Sequence, residues 1–112
     1  MKIFIALLIT MSCIDSYAQT PEAILQSKGI VLPEIPSPVA NYVNAVRSGN
    51  LLFLSGKGPL QPNGKYITGK LGKDLDEKQG YEAARITALI QLAVLKKELG
   101  SLSKVKHIVK VL

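Results

Sequence analysis

The sequence predicts an α+β fold, a small sheet with one long helix packed on one face. Three observations carry this. Residues 41–60, NYVNAVRSGNLLFLSGKGPL, read as a β-hairpin that ends in a glycine-rich elbow. Residues 77–99 hold an apolar stripe at helical spacing. Residues 105–112, VKHIVKVL, are rich in β-branched side chains and read as a further strand.

The elements follow in order. Residues 20–30, TPEAILQSKGI, make a short helix: Thr20 caps it, Pro21 suits the first helical position, Glu22 favours the N-terminus and Gly29 suits the end. Residues 31–40, VLPEIPSPVA, contain three prolines and form an extended arm. Residues 42–47 alternate as a strand, with Tyr42, Asn44 and Val46 on one face. Ser48, Gly49 and Asn50 are a compact turn. Residues 51–54 are apolar on both faces, which predicts a strand covered on both sides. Residues 55–59, SGKGP, break it; residues 62–64 are a second turn, and residues 66–68 suit a short strand.

Asp76 is the candidate N-cap of the long helix, with Gln79 three residues on in a capping-box arrangement. Ala83, Ile86, Leu89, Ile90, Leu92, Ala93 and Leu99 form its apolar stripe, with Gln91, Lys96, Lys97 and Glu98 toward the other side. Gly100 suits the C-cap. Burying one leucine or isoleucine stabilises by roughly 1.5–3 kcal/mol, so this stripe needs a sheet to lie on. Residues 105–112 would leave a raw sheet edge, which invites pairing. That edge points to a missing C-terminal portion or to an oligomer.

One hundred and twelve residues allow one small domain. Lys2, the apolar run of residues 3–11, and the small residues Ser16 and Ala18 have the layout of a secretory signal peptide cut after Ala18. The run is too short to span a bilayer, and lipidation at Cys13 would need a better lipobox than TMS. The expected organisation is a signal peptide over 1–18, a helix and proline-rich arm over 19–40, and a truncated domain over 41–112. The mature protein would be secreted or periplasmic, without membrane attachment. Cleavage removes Lys2 and Asp15, leaves the formal charge at +6, and removes Cys13, the only cysteine. Stability must then come from a core or from partner subunits. The lysines are scattered, without interleaved aromatics, so no nucleic-acid partner is expected.

No metal site is expected, because His107 is the only histidine and no carboxylate cluster shows ligand spacing. His107 reads as a packed or half-exposed residue on a strand face. Ser55 in LSGKG lacks a GxSxG elbow and a His–Asp pair to activate it. Two readings of Ser55 and Gly56 stand: a strand-ending turn, or a place where the missing Cβ admits a ligand to the backbone. SGKGPLQPNGK does not match the phosphate-loop order GxxxxGK[ST]. Asp74, Asp76 and Glu77 complement the helix dipole and read as capping residues.

NYVNAVRSGNLLFLSG, and then GPLQPNGKYITGKLGKDLDEKQGYEAARITALIQLAVLKKELGSLSKVKHIVKVL, resemble the RidA reactive-intermediate deaminases. These are the YjgF-like proteins, also called L-PSP endoribonucleases. The shared order is a Tyr-Val pair, a Gly-Asn turn, a strand ending Ser-Gly, a long helix with an early Ala-Ala-Arg, a Gly terminus and a Val-Lys-x-x-Val pattern. LPEIPSPVANYV looks like a subgroup with a proline-rich front arm. The likeness covers about residues 24–112, the N-terminal portion of the family's fold.

That resemblance implies a chorismate-mutase-like sheet with a long helix on one face, its C-terminal part missing. It also implies homotrimers with clefts between subunits. The implied activity is hydrolysis of reactive enamines and imines to 2-keto acids and ammonia, with no metal or organic cofactor. The implied ligand is such an imine or enamine, or the 2-keto acid. Tyr42 matches the tyrosine lining the family's cleft, and Ser55 and Gly56 match the Ser-Gly at its floor. Lys57 stands where glutamine is common. The family's carboxylate-binding arginine and water-positioning glutamate have no counterpart here; Arg47 and Arg85 fall on other elements, and no catalytic residue is assigned. The chain is therefore expected to be an incomplete, inactive form, the alternative being a non-enzymatic binding or scaffold protein of the same family.

Overall fold

The structure, a computed structural model, describes residues 19–35 and 40–112. The signal peptide expected over 1–18, Cys13 within it, and residues 36–39 of the proline-rich arm lie outside the described residues.

Local chemistry sets the first helix, α1, over Pro21–Ser27. The Thr20 hydroxyl accepts from the Ala23 N–H at 3.2 Å, and proline stands where no intrahelical donor is needed. Strands β1 (Ala45–Ser48) and β2 (Leu51–Leu54) pair antiparallel, with Ala45 opposite Leu54, Val46 opposite Phe53 and Ser48 opposite Leu51. Only Gly49 and Asn50 join them. Gly49 takes φ +56° and Asn50 stays out of the positive region, which is the type II′ pattern that follows strand twist.

The hairpin has unequal faces. Ala45, Leu52 and Leu54 are half-buried, whereas Val46, Leu51 and Phe53 on the other face are 56%, 49% and 59% exposed. The expectation that residues 51–54 are covered on both sides is thus corrected. One face is covered, and the outer apolar face meets solvent. The first strand is also shorter than expected. The Tyr42 N–H turns back to the Ala40 carbonyl at 2.8 Å, and the strand begins only at Ala45.

Helix α2 runs over Glu77–Leu99. Its capping box forms as the spacing predicts: the Gln79 N–H donates to Asp76 Oδ1 at 2.7 Å, and the Asp76 N–H donates to Gln79 Oε1 at 2.9 Å. Gly100 ends it in the left-handed conformation at φ +80°. The core sits along its second half. Ile90, Ala93, Val94 and Leu95 are buried together with Leu102 of a 3-10 helix over Leu102–Lys104. That 3-10 helix packs against both α2 and α1.

Two expected strands do not form. Residues 66–68 contribute one bridge, Tyr66 to Leu60. Residues 105–112 carry no strand, and His107 and Ile108 onward are exposed. β-Branched composition favours a strand only where a ladder partner exists, and none of the described residues offers one.

Candidate functional site

Where β2 ends, Ser55 becomes a junction of three hydrogen bonds. Its N–H donates to the Asn44 carbonyl at 3.0 Å, continuing the ladder one step. Its hydroxyl donates to the Val43 carbonyl. Its own carbonyl accepts from Gln91 Nε2 on α2 at 2.9 Å. The helix thereby holds the strand end, and the serine proton is committed. The Ser55 oxygen can still accept a hydrogen bond, but nothing described beside it serves as the base that nucleophilic attack requires.

Lys57 follows two residues on. Its ammonium donates to Asn44 Oδ1 and lies 5.5 Å from the centre of the Tyr42 ring, within cation–π range. Tyr42, 40% exposed, also lines an open depression with Ala40, Asn41, Val43, Val46 and Ser55. The structure therefore brings Tyr42 and Ser55 to one depression. Gly56 lies between Ser55 and Lys57 and is exposed; a Cβ there would meet nothing within 4 Å, and its φ lies outside the left-handed region. Neither packing among the described residues nor backbone conformation demands glycine at that position.

Sequence reasoning missed Gln91 and placed it toward solvent. It is half-buried, its Nε2 is spent on Ser55, and its Oε1 is buried with no partner among the described residues. The correction has a simple cause. Residues 89–95, LIQLAVL, are apolar almost all round, so this stretch is enclosed on nearly every side and a lone amide within it must find an internal partner. Asn44 was legible as sharing a face with Tyr42, but its bond to Lys57 was not.

The cluster of Tyr42, Asn44, Ser55, Lys57 and Gln91 thus holds one cation, several amide and hydroxyl dipoles and an aromatic face. It contains neither a carboxylate nor an imidazole. Such a set can bind and orient a small polar ligand; of the side chains that commonly move protons it holds only the tyrosine phenol and the lysine ammonium. Among the described residues no three of His, Cys, Asp and Glu gather as metal ligands would. A second shallow depression, lined in part by Tyr66, Thr68, Gln79 and Glu82, lies over the start of α2. There Glu82 is occupied with Arg85 at 3.6 Å.

Residues 22–112 match the profile of the family described as "YjgF/chorismate_mutase-like, putative endoribonuclease". Protein TCP17 of Trypanosoma cruzi is 42% identical over 86 residues, covering 77% of this chain and 54% of that protein. A crystal structure of a "putative endoribonuclease" from Shewanella oneidensis MR-1 superposes with a TM-score of 0.74 at 38% identity, over 80% of this chain and 59% of the other. Protein Atu1372 of Agrobacterium tumefaciens, of unknown function, superposes with a TM-score of 0.63 at 40% identity, over 75% and 51%. The chain spans between half and three-fifths of the length of these relatives.

Proposed function

The chain belongs to the YjgF/chorismate-mutase-like family, and on that footing we propose that it forms one wall of a small-molecule cleft for reactive imines and enamines, or for the 2-keto acids they yield. Its fold is that family's α+β fold, over the portion that the matched structures cover. The observation that carries the reading is the Ser55 junction. Helix α2 holds the strand end through Gln91, and Tyr42 and Ser55 share the wall of one open depression. In the proposed reaction water adds to the imine carbon, the carbon–nitrogen bond breaks, and nitrogen leaves as ammonia. Gly56, free of any neighbour within 4 Å of a Cβ, leaves room for a ligand or a second subunit against the wall.

The same cluster favours a second reading, a binding protein without turnover. Its five side chains include no carboxylate or imidazole, and the Lys57 ammonium is engaged by Asn44 Oδ1. We therefore propose that the 112-residue chain binds and does not hydrolyse. The uncovered hairpin face of Val46, Leu51 and Phe53 supports association into a homotrimer with clefts between subunits. The test pairs two measurements on the purified chain. Titration with 2-oxobutyrate, followed by amide NMR, is expected to move the Tyr42, Ser55 and Gly56 resonances. Incubation with 2-iminopropionate is expected to release ammonia no faster than buffer alone. Shifts absent from that segment would overturn the cleft, and measurable turnover would overturn the inactivity.

A further inference from the structure

We propose that Lys57 is the anion-binding and specificity-determining residue of this site: its ammonium takes the carboxylate of the ligand, with Asn44 and Tyr42 holding it in place. This rests on the small-molecule cleft proposed above and adds the group that would select for negative charge. Every other lysine among the described residues stands exposed; Lys57 alone is half-buried. Taking a cation partly out of water is unfavourable unless something replaces its hydration. Asn44 Oδ1 supplies one acceptor and the Tyr42 ring supplies its negative face at 5.5 Å.

No counter-charge completes the set. The ion pair between Arg85 and Glu82 is the one salt bridge among the described residues, and Lys57 takes no part in it. An ammonium carries three donors, and Asn44 uses one. The remaining donors have no partner among the described residues, and Tyr42, whose ring the ammonium faces at 5.5 Å, also lines the depression with Ser55. A carboxylate suits this place because charge-assisted hydrogen bonds are about twice as strong as neutral ones. Ser55 cannot supply that charge, since its proton is committed to the Val43 carbonyl. A lysine also differs from an arginine here: a compact point charge tolerates one carboxylate oxygen at a time and sets no fork geometry.

The experiment titrates the full chain with acetate, 2-oxobutyrate and the uncharged acetamide, reading the Asn44 side-chain amide and the Ser55 and Gly56 backbone amides by NMR. Lys57→Gln, Lys57→Met and Lys57→Arg are titrated in parallel, with preserved amide dispersion as the folding control. The expected result is saturable shifts with both anions and none with acetamide. Affinity should fall roughly tenfold or more in Lys57→Gln and Lys57→Met and recover largely in Lys57→Arg. Equal 2-oxobutyrate affinity in wild type and Lys57→Gln would overturn the role of Lys57 and leave the cleft standing. Lys57-dependent acetate binding with 2-oxobutyrate no tighter would support Lys57 as the anion site and count against the keto-acid reading. Silence toward both anions in the wild-type chain would overturn both.

Discussion

Gln91 and Ser55, thirty-six residues apart, are joined by a 2.9 Å hydrogen bond from the glutamine side-chain amide to the serine carbonyl. It links the middle of α2 to the end of β2, where the wall of the depression turns. Methionine has a similar length and no donor. Gln91→Met should therefore leave the Ser55 carbonyl without its partner and cost about 1 kcal/mol of stability. It also removes the partnerless Oε1, which offsets part of that loss. Urea denaturation reads the stability, and the Ser55 and Gly56 amide shifts read the geometry. Unmoved shifts would mean that the helix does not position this turn.

The core is small enough for single residues to matter. Ile90 is 1% exposed and Val94 0%, one helical turn apart on α2. Ile90→Ala should cost about 2–5 kcal/mol and Ile90→Val about 0.5–1.5 kcal/mol, because the first leaves a larger cavity. The denaturant midpoint should fall in that order. A midpoint equal in Ile90→Ala and wild type would show that the second half of α2 is not the centre of the core.

The hairpin's outer face bears on assembly. Val46 and Phe53 are register partners, 56% and 59% exposed, and Leu51 adjoins them on the same face. If this face joins subunits, Phe53→Lys should shift the sedimentation profile toward the monomer while the far-ultraviolet dichroism stays the same. A charge placed in an apolar interface has no partner and loses its hydration. An unchanged mass distribution would remove this face from the proposed trimer.

What the sequence made legible was local. The Asp76–Gln79 capping box, the left-handed Gly100 and the Gly49–Asn50 turn each depend on residues within about four positions, and all three form. What it hid was long-range. The β-branched composition of residues 105–112 predicts a strand, but composition cannot supply the neighbour that a ladder requires. Apolar residues at every position of 51–54 suggested two covered faces, whereas coverage depends on what else folds against them. At the candidate site, Tyr42 and Ser55 were legible through resemblance. Lys57's anchoring on Asn44 and Gln91's reach to Ser55 span 13 and 36 residues and required the fold.

The N-terminal helix is fastened by an acid-sensitive contact. Glu22 Oε1 accepts from the Leu102 N–H at 2.6 Å and from the Ser101 hydroxyl at 3.1 Å, tying α1 to the 3-10 helix. The Leu102 N–H, followed by Glu22's own N–H, the Ser101 hydroxyl and the Lys96 charge, holds the carboxyl below its ordinary value of 4.5; desolvation opposes them. A carboxylate whose folded pKa is depressed contributes stability that is full above the unfolded value and is lost as pH falls through the folded one. The contact should therefore hold at neutral pH and weaken progressively below about pH 4.5. Hydrogen exchange at the Leu102 amide reads it directly: protection should decline on acidification in the wild-type chain. Glu22→Gln keeps an acceptor oxygen but not the titrating charge, so its protection should be lower at neutral pH and flat across the same range. Parallel pH profiles for the two chains would show that Glu22 is not what fastens α1.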